Sequence, residues 1–410
     1  MNLYEELQYR NLIKDVSNVE LAKKLLNEKS SVFYCGFDPT AESLQMGNFV
    51  QIIRMMLLQK YGHKPIALIG GATGLIGDPK EKSERKLLKL EKVLDNSKKV
   101  EIQIRKFLKD AIIVNNYDWI SKINTIEFLR DYGKHFNINY MLDKETVAKR
   151  LETGISYTEF SYMILQSIDY LNLFKEYNCK IQFGGSDQWG NITAGLELIR
   201  KVTQKEVLAI SSPLLTKSDG TKFGKSESGA LYLDENLTSS YELYQYLINT
   251  PDEDVINYIK TLTLLEKKDI DILEEKVKTN PELREAQKAL AKEVVTLVHS
   301  EESYNQALKI TQYLFEDDLN KLTEEELILA FKNVLTFEVK ENINIVDLLV
   351  ETEILKSKRE AREFISNNAI SINSEKQQDL EKVLTKKDCL YNKYLIIRKG
   401  KKNYFLVIMV

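Results

Sequence analysis

The chain has 410 residues, of which 43% are hydrophobic, so it is long enough for two or three domains with ordinary buried cores. It contains no apolar run of about 18 residues, and residues 1–10 have no apolar signal-peptide core, which argues against membrane and exported classes. Three cysteines and three histidines are too few for a disulfide framework, a zinc ligand set or a well-supplied histidine triad. We therefore expect a cytoplasmic protein with reduced thiols.

Strand-like and helix-like segments alternate in the first half of the chain. Apolar runs predict strands at 31–37, 64–69 and 180–183, each followed by a loop that contains glycine. Helical patterns predict helices at 20–28, 49–61, 125–136, 143–152 and 158–176, and one more that ends near 200. The alternation predicts an α/β fold, a Rossmann-like parallel sheet with helices on both faces and ligands at the carboxyl ends of the strands.

The strand pattern fades after Gly229, and residues 238–335 have the pattern of a helical region. Thr250 and Pro251 predict a helix start there, with the threonine as cap and the proline in the first helical position. Strand patterns return near 369–372 and 394–410, beyond a linker at about 339–344. We predict three domains: a Rossmann-like catalytic domain at 1–229, a helical domain at 230–338 and a small α+β domain at 339–410.

Charge is distributed unevenly along the chain, although the net charge is only −3. Residues 340–410 contain 14 Lys and Arg against 10 Asp and Glu, whereas the remainder contains 44 against 51. The C-terminal part is therefore where contact with nucleic acid is expected.

Two segments about 180 residues apart have compositions suited to binding phosphate. Residues 36–48 predict a strand, a turn and a helix whose early Gly47 lets a ligand approach the backbone. Residues 222–226 place two lysines and a serine around a glycine. This second segment is not a P-loop, because Asp219 stands where the first glycine is required. We expect a nucleotide clamped between the two segments; an ordinary strand–turn–helix joint and a solvated basic loop are the alternatives.

The predicted helix 158–176 carries Tyr162, Gln166 and Asp169 on one stripe of an otherwise mostly apolar surface. Polar groups on a buried helix need partners, which an amino-acid ligand with an ammonium group and a phenol would supply. A structural hydrogen-bond network is the alternative. In the loop 184–191, Asp187 is expected to accept a hydrogen bond from a ribose or substrate hydroxyl, or only to cap a helix together with Ser186.

In this order, the segments resemble those of bacterial-type tyrosyl-tRNA synthetases, which are class I aminoacyl-tRNA synthetases. The resemblance covers nearly the whole chain, through residues 34–41, 70–79, 115–119, 152–156, 184–197 and 222–226. Residues 44–48 correspond to the HIGH-type signature of class I, and 222–226 to the KMSKS-type signature. Residues 357–362 and 369–373 are similar to a small RNA-binding module first described in a ribosomal small-subunit protein.

The resemblance implies a cytoplasmic homodimeric ligase that converts L-tyrosine and ATP, with Mg²⁺ on the phosphates, to tyrosyl-adenylate and pyrophosphate. The tyrosyl group then passes to the 3′-terminal adenosine of tRNA(Tyr). The substrate carboxylate is the nucleophile, so the protein's task is positioning and stabilisation of charge. Buried polar groups that hold the phenol would reject phenylalanine, a discrimination for which this family is the standard example.

The resemblance also implies a role for individual residues of this chain. The tyrosine-binding residues are Tyr34 and Asp169 at the phenol, Asp78, Tyr162 and Gln166 at the ammonium group, and Gln182, which orients the substrate. The ATP-binding residues are Gly36, Asp38, Thr40, Gly47, Gly185, Asp187, Gln188 and Lys225. The catalytic residues that meet the phosphates are Gln45, Asn48, Lys82, Arg85, Lys222, Lys225 and Ser226, with Lys80 as an alternative to Lys82. None of these residues is implied as a metal ligand.

The HIGH-type signature departs from the family pattern, because Gln45 and Asn48 stand where the family has histidines. Both side chains can donate a hydrogen bond to phosphate, but neither can become cationic, so weaker transition-state stabilisation is expected from this segment. Two other functions therefore stay open: a paralogue with weakened activation that acts as an RNA-binding or regulatory protein, and a ligase for another amino acid such as tryptophan.

Overall fold

A computed structural model describes residues 1–28, 30–79, 87–151, 154–226, 229–400 and 403–410. The described residues form two compact units, one of Met1–Thr238 with Ile248–Val294 and one of Ser239–Leu247 with Val295–Val410. The strands are β1 (Val32–Phe37), β2 (Lys64–Ile69), β3 (Ile112–Asn115), β4 (Cys179–Gly185), β5 (Leu208–Ser212), β6 (Lys225–Ser226), β7 (Gly229–Ala230), β8 (Thr336–Val339), β9 (Ile343–Asn344), β10 (Ile370–Ile372), β11 (Glu375–Lys376), β12 (Val383–Leu384), β13 (Tyr394–Lys399) and β14 (Asn403–Met409).

The α-helices alternate with the strands of the first unit and then follow one another with few interruptions. They are α1 (Leu3–Tyr9), α2 (Val19–Asn27), α3 (Met46–Lys60), α4 (Thr73–Ile76), α5 (Leu90–Phe107), α6 (Tyr117–Ile120), α7 (Thr125–Glu127), α8 (Ile138–Leu142), α9 (Glu145–Ala148), α10 (Tyr157–Tyr177), α11 (Trp189–Thr203), α12 (Ser240–Ile248), α13 (Asp252–Leu262), α14 (Lys267–Thr279), α15 (Glu285–Val298), α16 (Glu301–Phe315), α17 (Glu324–Phe331), α18 (Ile345–Glu351) and α19 (Lys358–Ser366). No α-helix among the described residues combines the length and the apolar character that a membrane crossing needs.

A five-stranded parallel sheet of order β3-β2-β1-β4-β5 organises the first unit. The chain runs outward from β1 to β2 and β3, and then returns to the other side of β1 with β4 and β5. The strand order therefore reverses between β1 and β4. A crevice at the carboxyl ends of the strands beside such a reversal is the usual ligand site of an open parallel sheet.

Helices cover both faces of this sheet, as the sequence predicts. Alternate residues of a strand face opposite sides, so Phe33 and Tyr34 of β1 meet different helices. The Tyr34 ring lies 5.2 Å from the ring of Tyr170 on α10. On the other face, the Phe183 ring lies 5.7 Å from Phe33 and beneath the guanidinium of Arg54 on α3.

Helix α10 is buried over most of its length, and both of its ends are fixed. Ser156 caps its N-terminus by accepting a hydrogen bond from the backbone N–H of Glu159, and the left-handed Asn178 ends it. Arg150 and Glu159 form a buried ion pair of 3.2 Å beside the first turn. The helix therefore holds its polar stripe in a fixed position against the sheet.

Several predicted elements were wrong in extent. Within the described residues 143–151 the only helix is the short α9, and 125–136 divides into α7, a π-helical turn Phe128–Tyr132 and a 3₁₀ turn Gly133–His135. Pro251 is itself the cap of α13, because its own ψ of 153° is extended and the helical conformation begins only at Asp252. The edge strands β3 and β5 of the sheet were not predicted.

The second unit contains its own mixed sheet, of order β11-β10-β13-β14-β8. Ile345 and Leu349 of α18, Ile365 of α19 and Leu395 of β13 are buried in one apolar core of this unit. Ser357 caps α19 by accepting from the N–H of Glu360. The strand patterns near 369–372 and 394–410 are thus confirmed as β10, β13 and β14.

Candidate active site

The residues that follow β1 and β4 lie at the reversal of the strand order. Gly36 near the end of β1 is exposed, as is Asp187 in the 3₁₀ turn after β4. Asp38 follows β1 closely and is partly buried. A side chain at Gly70, after β2, would place its Cβ only 1.9 Å from an Asp38 carboxylate oxygen. The glycine loop after β2 therefore leaves the space that the Asp38 carboxylate fills.

A buried polar network centres on Asp169 of α10, which is 1% exposed. Its two carboxylate oxygens accept hydrogen bonds from Asn116 Nδ2 at 2.9 Å and from Trp119 Nε1 at 2.8 Å. Asn116 Nδ2 also donates to Thr73 Oγ1 at 3.0 Å, and Thr73 Oγ1 donates to Asp38 Oδ1 at 2.8 Å. The network thus joins α10 to the residues that follow β1, β2 and β3.

Tyr162, one of the predicted stripe residues, reaches the same network from α10. Its hydroxyl donates to Asp38 Oδ2 at 2.8 Å. Burial raises the pKa of Tyr162 well above its ordinary value, and the nearby Asp38 and Asp78 carboxylates raise it further. Tyr162 therefore stays a neutral hydrogen-bond donor at the edge of an acidic pocket.

Burial also raises the pKa of Asp169, to about 7, although hydrogen bonds from Asn116 and Trp119 oppose the shift. The Tyr34 hydroxyl is held neutral in the same way, because burial and then the Asp169 charge raise its pKa. The pocket thus places the neutral Tyr34 phenol near the Asp169 carboxyl group, which is partly ionised at neutral pH.

Two buried polar atoms of the pocket have no hydrogen-bond partner among the described residues. They are the Tyr34 hydroxyl and Gln166 Oε1. Buried polar groups are rarely left unpaired, so these two atoms indicate where a bound molecule supplies hydrogen bonds. Gln182, buried and directly opposite Tyr34 in the β1–β4 register, lies on the same face of the sheet.

Asp78, whose charge acts on Tyr162, also contacts a second group of polar side chains. Its carboxylate accepts from Gln188 Nε2 at 2.7 Å and from Asn191 Nδ2 at 2.9 Å. Two of the predicted binding residues, Asp78 and Gln188, therefore meet in the structure. The loop after β2 is joined in this way to the loop after β4.

The two predicted phosphate-binding segments, about 180 residues apart, are in direct contact. Gly224 has a φ of +79°, and an added Cβ would lie 3.1 Å from Met46 Cβ and 3.5 Å from the backbone nitrogen of Gly47. The Leu231 N–H donates to Gly224 O at 2.8 Å, and the Met46 N–H donates to Leu231 O at 2.9 Å. Gly224 is therefore required both for its left-handed conformation and for its approach to the N-terminus of α3.

Helix α13 holds the loop 215–226 from the other side. The Phe223 and Tyr258 rings lie 4.7 Å apart, and Asp254 Oδ2 accepts from the Ser218 N–H at 3.2 Å. Lys222 and Lys225, which flank the buried Phe223, are exposed. The loop is thus anchored by its aromatic residue, while its lysine side chains remain accessible.

Gln45 and Asn48 lie at the start of α3, where the sequence places them. The Gln45 N–H donates to Asn48 Oδ1 at 3.1 Å, so the side chain of Asn48 helps to cap its own helix. Gln45 is exposed at this helix N-terminus. Thr40 is exposed nearby in sequence, with its N–H donating to Asp38 O at 2.8 Å.

Many of the predicted site residues lie in three groups, around Asp169, around Asp78 and at the start of α3, and three residues that were not predicted join the first group. Lys80, Lys82 and Arg85 lie outside the described residues, as does the side chain of Ser226. Thr73, Asn116 and Trp119 were not predicted as site residues. Thr73 follows the predicted strand β2, which could have indicated it, whereas Asn116 and Trp119 follow β3, which was itself missed.

Comparison with known proteins identifies the family. The family described as "tRNA synthetases class I (W and Y)" matches residues 26–316, and the "Tyrosine--tRNA ligase SYY-like C-terminal domain" matches residues 326–407. The chain belongs to the class I tRNA synthetases of this tryptophan and tyrosine group.

Relatives that match over their full length are tyrosine–tRNA ligases. The tyrosine–tRNA ligase of Onion yellows phytoplasma is 52% identical over 100% of both chains. Tyrosine–tRNA ligase 1 of Bacillus subtilis is 50% identical over 99% of both. A C-terminally truncated mitochondrial tyrosyl-tRNA synthetase of Aspergillus nidulans superposes with a TM-score of 0.69 at 30% identity, covering 77% of this chain and 94% of its own.

Proposed function

We propose that this enzyme, a tyrosine–tRNA ligase, selects tyrosine with the buried network around Asp169 and activates it where the loop 222–226 meets the start of α3. The observation that carries the first part is the pair of unpartnered buried atoms, Tyr34 Oη and Gln166 Oε1. The observation that supports the second is the contact of Gly224 with Met46 and Gly47.

Tyrosine fits the chemistry of the pocket at both ends. Its phenol would donate to the Asp169 carboxylate and pair with the Tyr34 hydroxyl. Its ammonium group would donate to Gln166 Oε1 and be attracted by the Asp38 and Asp78 carboxylates, with Tyr162 completing this end and Gln182 orienting the substrate. Phenylalanine would leave the groups around Asp169 unpaired, so we propose that this end of the pocket excludes it.

The reaction needs only positioning and charge stabilisation from the protein. The tyrosine carboxylate attacks the α-phosphorus of ATP, the new P–O bond forms, and the bond to the departing pyrophosphate breaks. In the second step a ribose hydroxyl of the tRNA terminus attacks the carbonyl carbon, and AMP leaves. We propose that Mg²⁺ enters on the phosphates as part of the nucleotide substrate.

Some of the phosphate-facing residues are proposed from their place around the first turn of α3. The helix N-terminus favours negative charge, and Gly47 leaves its backbone open, because no described atom outside its own helix lies within 4 Å of an added Cβ. Lys222, Lys225, Gln45 and Asn48 would meet the phosphates that leave. The same role is proposed for Lys82, Arg85 and Ser226 from the family resemblance alone. Gly36, Asp38, Thr40, Gly185, Asp187 and Gln188 would hold the adenylate at the reversal of strand order.

Tyrosine-dependent exchange of pyrophosphate into ATP tests this function. We expect exchange with tyrosine and little with tryptophan or phenylalanine. Gln45→His should raise the rate about three- to tenfold, because a histidine can add charge to a hydrogen bond that is worth about 1–2 kcal/mol. If the wild-type protein shows no exchange at saturating tyrosine, this outcome supports the alternative of a paralogue with weakened activation that binds RNA. The neutral side chains of Gln45 and Asn48 are the observation that favours this alternative.

The C-terminal part is proposed to bind tRNA(Tyr). We retain three functional regions: catalytic at 1–229, helical and facing the anticodon side at 230–338, and RNA-binding at 339–410. Lys358, Arg359 and Arg362 place positive charge on α19, in the part of the chain with a net positive balance. We propose the cytoplasm as the location, since the charged tRNA is used there.

We further propose that two copies of the chain form a homodimer. Large apolar side chains are exposed along one stretch of the first unit: Ile126, Leu129, Ile138, Leu151 and Tyr157. Such side chains mark association surfaces when they are grouped. Light scattering should give twice the mass of one chain, and Tyr157→Asp should shift the protein towards the monomer. A monomer at micromolar wild-type concentration would refute the dimer.

A further inference from the structure

Helix α3 buries an arginine behind the proposed nucleotide site. Arg54 is 0% exposed, and its guanidinium lies 4.5 Å from the centre of the Phe183 ring. Its Nη2 donates to Gln51 Oε1, whereas Nε and Nη1 have no hydrogen-bond partner among the described residues. A buried guanidinium has five N–H donors, so this one is far from satisfied by its surroundings.

No carboxylate in the described part of the chain lies within ion-pair distance of Arg54. Its ionisable neighbour is Cys35, which interacts with the guanidinium, but burial raises the pKa of the thiol, so the thiol does not supply a negative charge at neutral pH. Burial lowers the pKa of Arg54 to about 10, which still leaves the guanidinium charged at neutral pH. A buried charge without a counter-ion destabilises a fold, and such features persist mainly where function uses them.

The charge lies close to the carboxyl end of the sheet. Arg54 follows Gly47 by seven residues, about 10 Å along a helix axis. Long helical side chains point back towards the N-terminus, as the contact with Gln51 shows. Gln51 in turn accepts from Cys35 Sγ at 3.7 Å, one residue before the exposed Gly36. The guanidinium is therefore behind the strand end that the nucleotide is proposed to occupy.

We propose that Arg54 is an electrostatic positioning residue for the nucleotide. Its fixed charge holds the ATP phosphates towards the first turn of α3 and stabilises the negative charge that develops as pyrophosphate leaves. It thereby provides part of the charge stabilisation that the neutral Gln45 and Asn48 do not provide. A fixed charge in a water-excluded region acts at a distance without touching the substrate. This inference rests on the proposed tyrosine activation.

Pyrophosphate exchange and thermal melting of Arg54→Met and Arg54→Lys test the inference. We expect the methionine variant to lose about tenfold in the exchange rate, equivalent to about 1.4 kcal/mol. Its KM for tyrosine should stay within about twofold of wild type. Its melting temperature should rise, because methionine fills the site without an unpaired charge. The lysine variant, which retains the charge, should recover most of the rate. Arg105→Met, the same change at an exposed arginine of α5, is the control.

A lower exchange rate together with a higher melting temperature in Arg54→Met distinguishes an electrostatic role of Arg54 from a structural one. An unchanged exchange rate in Arg54→Met overturns the inference. So does a methionine variant that melts lower or does not fold, since the guanidinium would then be a structural support. A wild-type protein without exchange would instead refute the proposed function.

Discussion

Lys225→Ala is expected to lower the rate of tyrosyl-adenylate formation by roughly 10²- to 10³-fold, the usual cost of removing a preorganised donor to a developing charge. Lys225 is exposed on a loop that Phe223 and Gly224 anchor against α13 and the start of α3. Truncation should therefore leave the anchor and the tyrosine pocket intact. We expect the tyrosine dissociation constant, measured by equilibrium binding, to change less than about twofold.

Stopped-flow or quench measurements of the activation step provide the readout. Lys24→Ala, at an exposed position near the end of α2, is the matched control and should activate tyrosine at the wild-type rate. Equal rates for wild type and Lys225→Ala would contradict the assigned role. A large loss of tyrosine affinity would show that the loop shapes the amino-acid pocket rather than the phosphate site.

Asp169→Asn is expected to lower kcat/KM for tyrosine by about 10³-fold. Asn116 Nδ2 and Trp119 Nε1 both donate to the present carboxylate, and the substrate phenol would be a third donor. An asparagine has one acceptor oxygen and points its own N–H groups at the remaining donors. A buried donor left unpaired costs about 1–3 kcal/mol, so two such losses account for the expected effect.

Asp118→Asn makes the same chemical change at an exposed position of α6, next to Trp119, and should leave kcat/KM within about twofold of wild type. Circular dichroism should show that both variants are folded. If Asp169→Asn retains the wild-type kcat/KM, the phenol is not recognised by this carboxyl group.

The raised pKa of Asp169, about 7, gives the same prediction a pH signature. A donated phenol hydrogen bond favours the ionised carboxylate, so tyrosine binding at pH 6 should release up to one proton. Tyrosine affinity should therefore increase as the pH rises from 6 to 8. Calorimetry in two buffers of different ionisation enthalpy measures the released proton, which should disappear in Asp169→Asn.

The contribution of Asp169 to the free energy of unfolding should change with pH in the opposite direction to the tyrosine affinity. The folded protein raises the pKa of Asp169 above its ordinary value of 3.8, so protonation of this group stabilises the fold. That contribution is fully present below about pH 3.8 and is lost as the pH rises through about 7. If folding takes up the same number of protons in wild type and in Asp169→Asn across this pH range, the raised pKa does not belong to Asp169.

Local sequence patterns were sufficient to predict several strands and helices of the first unit. Apolar runs predicted β1, β2 and β4, and the stripe of Tyr162, Gln166 and Asp169 predicted a polar face on a buried helix, because helical spacing is fixed by the backbone. The edge strands β3 and β5 were missed. The segment 125–136 was predicted as one helix, but a π-helical turn and a 3₁₀ turn interrupt it after α7.

The chemistry-bearing segments were also visible in the sequence, because loops after parallel strands are the usual ligand sites. Their partners were not visible. Asn116 and Trp119 became site residues only through hydrogen bonds to Asp169 on a distant helix. Arg54 reads as an ordinary helical residue in the sequence, and only its burial without a counter-ion distinguishes it.

The sequence by itself determined the alternation of strands and helices, the glycine and lysine segments and the family resemblance, since each depends on residues close together in the chain. Only the tertiary structure decided that Gly224 packs against Met46 and Gly47, and that Tyr34 and Gln166 are left with unpaired buried atoms. Such facts depend on distances between residues far apart in sequence, and no local propensity encodes them.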